Sequence, residues 1–216
     1  MAIQIQGNGG TVAEVDGTTW RALRITPRPF EFGSLGCYAK SLTSGTMAAG
    51  LAAAAIVYSY RWGDATRLSL VTQLRVGAGG IGAFAAGFTR FQATIGRTFT
   101  ASHTGGTAGT LTGNNAKLRT SMGTTLLTDV RIASTAALAG GTVTLDTDGI
   151  ASATGSTPAT AGTPLVPPSI IYNIEGGSEF PIVFAQNEGF VIQATVPATG
   201  TWTFSVDTKW YEVASY

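Results

Sequence analysis

Of 216 residues, 33 are Thr, 31 Ala and 29 Gly while only 12% are charged, a composition that excludes a helical bundle or coiled coil and leans to pleated, turn-rich structure. With 44% hydrophobic residues the chain can bury a sizeable core, which excludes global disorder, and its single cysteine excludes a disulfide scaffold. The net charge of +1 is divided into −2 over residues 1–20, +9 over 21–131 and −6 over 132–216, with the basic residues spread singly rather than in the clustered patch that nucleic-acid binding needs.

In chain order, Ile3 and Ile5 alternate with Gln4 and Gln6, and Gly7-Asn8-Gly9-Gly10 follows as a tight turn before an extended segment over 11–15. Arg21, Leu23 and Ile25 share one face of a strand that stops at Pro27 and Pro29. Residues 1–33 thus read as N-terminal strands or an arm. Thr43–Val57 is the one helix candidate, with a Thr43 or Ser44 cap and an Ala run, shortened by Gly50.

The period-two pattern is clearest further on. Leu68, Leu70, Leu74 and Val76 alternate with polar neighbours, as do Phe91, Ala93, Ile95 and Phe99. Val130/Ile132, Val143/Leu145, Phe190/Ile192/Ala194/Val196 and Trp202/Phe204/Val206 continue it, and the turn at Pro197–Gly200 makes Gly189–Val206 a hairpin candidate. Residues 101–126 and 149–168 are Gly/Thr-rich and Ala/Ser/Thr/Gly/Pro-rich, and read as long loops. The expected fold is all-β: one domain over 1–216, an antiparallel β-sandwich of jelly-roll type with long loops and at most one short helix.

The chemical motifs are weak. Gly77–Gly82 matches G-x-G-x-x-G, yet the next acid is Asp129, far too late to hold a ribose. His103 has no G-x-S-x-G partner motif, and one His with one Cys supplies no zinc site. Asp146-Thr-Asp148-Gly149 lacks the later ligands of a calcium loop. No catalytic residue, metal or cofactor is expected. The start Met-Ala-Ile-Gln lacks a basic region and long apolar run, so no secretory signal is expected, and no apolar stretch reaches membrane-span length. Trp20, Trp62, Trp202 and Trp210 lie in strand patterns, which points to packing. Ten of the 13 basic residues are Arg, which suits interface contacts between copies, with a trimer expected.

Leu23–Gly33 (LRITPRPFEFG), Tyr58–Trp62 (YSYRW), Leu111–Met122 (LTGNNAKLRTSM), Asn187–Ile192 (NEGFVI) and Thr201–Glu212 (TWTFSVDTKWYE) resemble phrases of tailed-bacteriophage virion structural proteins. The resemblance implies a non-enzymatic β-sandwich built into the virion in many copies, of head decoration or cement type, assembled in the host cytoplasm. Its partners would be the major capsid protein and further copies of itself, with no nucleic acid and no membrane. The alternative is a tail or fibre-associated module binding a host surface glycan. The candidate interface residues are Arg21, Arg24, Arg28, Lys117, Arg119, Leu165 and Val166, on arms that reach neighbouring subunits.

Overall fold

The structure, a computed structural model, describes residues 15–16, 22–23, 36–157, 164–174 and 180–214. The chain divides into two compact units, Met1–Glu31 and Phe32–Tyr216. In the first, β1 (Val15–Asp16) pairs antiparallel with β2 (Ala22–Leu23). In the second come β3 (Cys37–Thr43), β4 (Met47–Ala48), β5 (Ala55–Trp62), β6 (Leu68–Gly80), β7 (Gly87–Thr104), β8 (Thr107–Ala108) and β9 (Asp129–Ile132). They are followed by β10 (Ala139–Leu145), β11 (Ala151–Thr157), β12 (Pro164–Asn173), β13 (Ile182–Phe184), β14 (Glu188–Thr195) and β15 (Thr201–Val213).

These strands form two antiparallel sheets packed as a sandwich. The seven-stranded sheet has the order β10-β7-β14-β5-β9-β8, with β11 also on β7; the six-stranded sheet has the order β12-β6-β15-β3, with β13 on β6 and β4 on β15. The strand-to-strand alternation read from the sequence places Phe91, Ala93, Ile95, Phe190, Ile192, Ala194, Trp202, Phe204 and Val206 between the sheets. The core is aromatic in two patches. Tyr60 stacks on Phe190 at 5.1 Å and meets Trp210 edge-on at 5.7 Å; Phe91 meets Trp202 edge-on at 5.5 Å and stacks on Phe204 at 5.8 Å. Such pairs add to the burial of their large apolar area.

The structure departs from the sequence pattern at four places. No helix occurs among the described residues. The Thr43–Val57 segment instead ends β3, forms β4 against Thr201 and Trp202, and enters β5. Gly50 (φ 75°) and Ala54 (φ 57°) turn the chain left-handed there, and Met47 and Val57 become fully buried between the sheets. Burying two large side chains outweighs an alanine helical preference of about half a kcal/mol per residue.

On β6 a bulge at Thr72, where Lys209 pairs with Gln73 but Trp210 with Val71, inverts the alternation. Val71 therefore joins Leu74 and Val76 in the core cluster, and Leu70 turns to the other face. On β7 the inward parity reaches Arg97, which ion-pairs with Glu188 (2.9 Å) and Asp146 (3.3 Å), and Thr98 at φ 47° resets the alternation. Phe99 then packs on His103 at 5.2 Å, outside the main core cluster.

Gly189–Val206 is not a hairpin. Strand β14 lies between β5 and β7 in one sheet and β15 between β6 and β3 in the other, so Pro197–Gly200 carries the chain across the sandwich. Both strands are nearly continuous in buried residues on their inner faces, and each completes a different sheet. Truncating Phe190, which touches Tyr58, Tyr60 and Phe184, tests the aromatic layer. Phe190→Ala is expected to lower unfolding free energy by about 3–5 kcal/mol in urea denaturation.

Candidate interface surface

Lys117 and Arg119 lie in the segment between β8 and β9, which the sequence pattern made a free loop over 101–126. Its first residues belong instead to β7 and β8. The remainder straps the outer edge of β3. Ala39 donates to the Ala116 carbonyl (2.9 Å), Leu118 donates to Cys37 (3.3 Å), and Tyr38 and Lys117 form a bridge between them. The Tyr38 hydroxyl donates to the Gly123 carbonyl at 3.1 Å, and Lys40 Nζ donates to Thr110 at 2.9 Å. Lys117 is half-buried in this strap, while Arg119 and Leu118 remain exposed.

The strap ends on a buried carboxylate. Glu212 Oε1 accepts from the Thr125 hydroxyl, from Leu126 N at 3.0 Å and from Trp210 Nε1 at 3.3 Å. Only 2% of Glu212 is exposed. Burial pushes its carboxyl above the ordinary value, against these hydrogen bonds, which favour the ionised form.

The second expected loop, 149–168, is also structured on both sides. Residues 151–157 form β11 and 164–173 form β12, while 158–163 lie outside the described residues. Leu165 and Val166 are each 1% exposed and belong to the core cluster. They are not free anchors for a neighbour, because β12 pairs beside β6 and packs against β11, where a Cβ on Gly155 would collide with the Leu165 carbonyl. Arg21, Arg24 and Arg28 lie outside the described residues.

A cluster that sequence reasoning missed lies on the outer face of the seven-stranded sheet. Arg61 of β5 faces Gly189 of β14, which faces Gly96 of β7. The Arg61 guanidinium donates to the Phe99 carbonyl (2.7 Å), the Thr100 carbonyl (2.8 Å) and Ser102 Oγ (3.2 Å). Beside it, Arg131 pairs with Asp129 at 3.5 Å and donates to the Gly105 carbonyl at 2.8 Å. The end of β7 is thereby held down by two arginines. No motif spacing marks them, because the contact runs from side chain to distant backbone.

Ser59 and His103 are buried in the same region, and Ser59 Oγ and His103 Nδ1 have no hydrogen-bond partner. No hydrogen bond joins Ser59, His103 and Asp129, so the nucleophile-to-base contact of a catalytic triad is not formed among them. Burial lowers the His103 pKa, and Arg131 adds to this against the opposing pull of Asp129.

A surface depression of about 430 Å³ lies over the six-stranded sheet. Gly77, Gly79 and Gly80 of β6, Pro164 and Pro168 of β12 and Thr203 of β15 line it, and it holds no ionisable side chain. Among the described residues no group of three or more His, Cys, Asp or Glu is placed to hold a metal ion. Comparison of the chain with protein-family models, curated proteins and solved structures returned no match.

Glu212 and His103 predict opposite pH behaviour. A raised Glu212 pKa means that the folded state holds the proton more tightly. Its stabilising contribution is therefore full below the ordinary 4.5 and is lost as pH rises through the folded value. The stability advantage of wild type over Glu212→Gln should shrink as pH rises from about 4 to 7. A lowered His103 pKa means that the unfolded chain protonates first, so stability is full above the ordinary 6.5 and is lost as pH falls below it. The advantage of wild type over His103→Asn should therefore shrink on acidification. Denaturation midpoints across this range check both signs.

Proposed function

We propose that the sandwich is of jelly-roll type and that the chain is a non-enzymatic structural protein of a tailed-phage virion, a decoration or cement subunit stabilising the head shell. The observation that carries this reading is the nested pairing of the eight main strands. Outermost, β3 pairs with β15; then β5 with β14, β6 with β12, and β7 with β11, all antiparallel. This is the order of a long hairpin rolled into two four-stranded layers, β12-β6-β15-β3 and β11-β7-β14-β5. Jelly rolls of this kind build viral capsid and lectin domains. The resemblance of the chain's short phrases to virion proteins supports the first of these. The partners would be the major capsid protein and further copies of this chain, as a trimer.

The tail or fibre-associated glycan-binding reading calls for exposed aromatic platforms. Trp62, Trp202 and Trp210 are each fully buried and Trp20 lies outside the described residues, so among the described residues no tryptophan offers one; Phe88 and Phe180 are the exposed aromatic rings there. The arginines that suit interface contacts are partly engaged within the subunit, at Arg61, Arg97 and Arg131, and Arg119 is left exposed.

Quantitative peptide mass spectrometry of purified particles tests the proposal. The expected copy number is on the scale of the capsid protein's own, with release of the chain lowering the temperature at which heads rupture. A copy number matching tail components would move the chain to the tail, and absence from purified particles would refute the virion reading.

A further inference from the structure

We infer that β11 is a docking edge for a second copy of this chain, joined by antiparallel strand pairing about a two-fold axis centred on Thr154. The other sheet edges are closed or interrupted. Strand β12 carries Pro164, Pro167 and Pro168 and three register shifts, so it cannot offer a regular row of donors. Strand β3 is covered by residues 116–118. Strands β4, β8 and β13 are two or three residues long. Strand β10 is distorted by Gly140 (φ 61°), Gly141 (φ 80°) and a register shift. Each is a recognised way of preventing edge-to-edge association.

Strand β11 has no proline, bulge or strap of its own, and β12 meets it on the inner face at Gly155, opposite the exposed side of Ser152, Thr154 and Ser156. Its seven residues, Ala151–Thr157, pair with β7 in unbroken register and include no proline and no charge. Among the described residues, nothing pairs with its other side. Every second residue of such a strand turns its N–H and C=O away from the sheet, in a row spaced for another strand.

The edge is self-complementary. A two-fold at Thr154 sets Thr154 against its copy, Ser152 against Ser156 and Ala153 against Gly155. Ser152, Thr154 and Ser156 are the exposed face, so hydroxyl faces hydroxyl across the axis, a favourable cross-strand pairing. The nearest charge on that face is Arg90, opposite Thr154 on β7. With strands about 4.8 Å apart, the two Arg90 side chains originate about 14 Å apart, beyond the screening length of about 8 Å at physiological salt. Phe88, opposite Ser156 and 57% exposed, flanks the same edge and gains cover from the added strand. A partner strand bearing charge would gain nothing from this neutral edge, which favours a second copy. The pairing is compatible with a trimer formed through another surface, which it would link in twos.

The test is site-directed cross-linking of the full chain with sedimentation velocity. Thr154→Cys should form a disulfide dimer, since directly opposed residues lie within bridging distance. Ser152→Cys alone and Ser156→Cys alone should not, while a mixture of the two should. Thr154→Lys, which sets two ammonium groups face to face, should abolish this contact, and Thr142→Lys on β10 should leave it intact. Far-ultraviolet circular dichroism checks that each variant keeps the wild-type β spectrum. A chain monomeric at every concentration, association unchanged by Thr154→Lys, or Ser152→Cys cross-linking by itself would each overturn the inference.

Discussion

Tyr58 and Tyr60 sit two residues apart on β5, both fully buried, and their hydroxyls cross the interior to the opposite sheet. Tyr58 hydrogen-bonds to Thr208 Oγ1 at 2.8 Å and Tyr60 to Ser69 Oγ at 2.6 Å. A phenol left without a partner there would cost about 1–3 kcal/mol. The spacing of the sheets and the register of β5 against β6 and β15 are therefore tightly constrained. Burial holds both phenols well above their ordinary pKa, so they remain neutral. The Thr72 bulge serves the same constraint. It turns Val71 into the core beside Trp210 while Ser69, two pairs further along, stays on the inner face to meet Tyr60.

Outside this layer, buried and half-buried charged groups are engaged in holding segments in place. Glu212 anchors the strap over β3, and Arg61 clamps backbone carbonyls near the end of β7 across a row of glycines. Replacing water with fixed backbone dipoles is a structural use of charge, and it keeps long connections close to the sandwich without apolar cover of their own.

That division connects the core to the surface chemistry. A sandwich whose interior is locked by aromatic and hydroxyl pairs tolerates small, polar outer faces, because those faces contribute little to its stability. Small faces and the one regular edge, β11, in turn favour contact through backbone and short hydroxyls rather than through deep pockets. The neutral edge at β11 and the depression over Gly77–Gly80 are two expressions of the same composition, in which Thr, Ala and Gly dominate.

The all-β class and most of the inward face were legible in the sequence, because alternation at period two is a local property: Phe91/Ala93/Ile95 and Trp202/Phe204/Val206 could be assigned without knowing their partners. What alternation cannot carry is which sheet a strand joins. Residues 189–206 look like a hairpin, yet β14 and β15 part to different sheets, a choice made by partners 93 to 145 residues away on β5, β6 and β7. Nor can it show a bulge, since one extra residue at Thr72 reverses every face beyond it. The Ala run was open to the same error: intrinsic propensity favours a helix, and only burial of Met47 and Val57 between the sheets decides otherwise. Leu165 and Val166 read as exposed because Pro and Thr surround them; they are buried because β12 crosses Gly155. Local pattern thus set the periodicity and the turn points. Long-range pairing, whose energy exists only once the sheets meet, decided topology, burial and the fate of the charged groups.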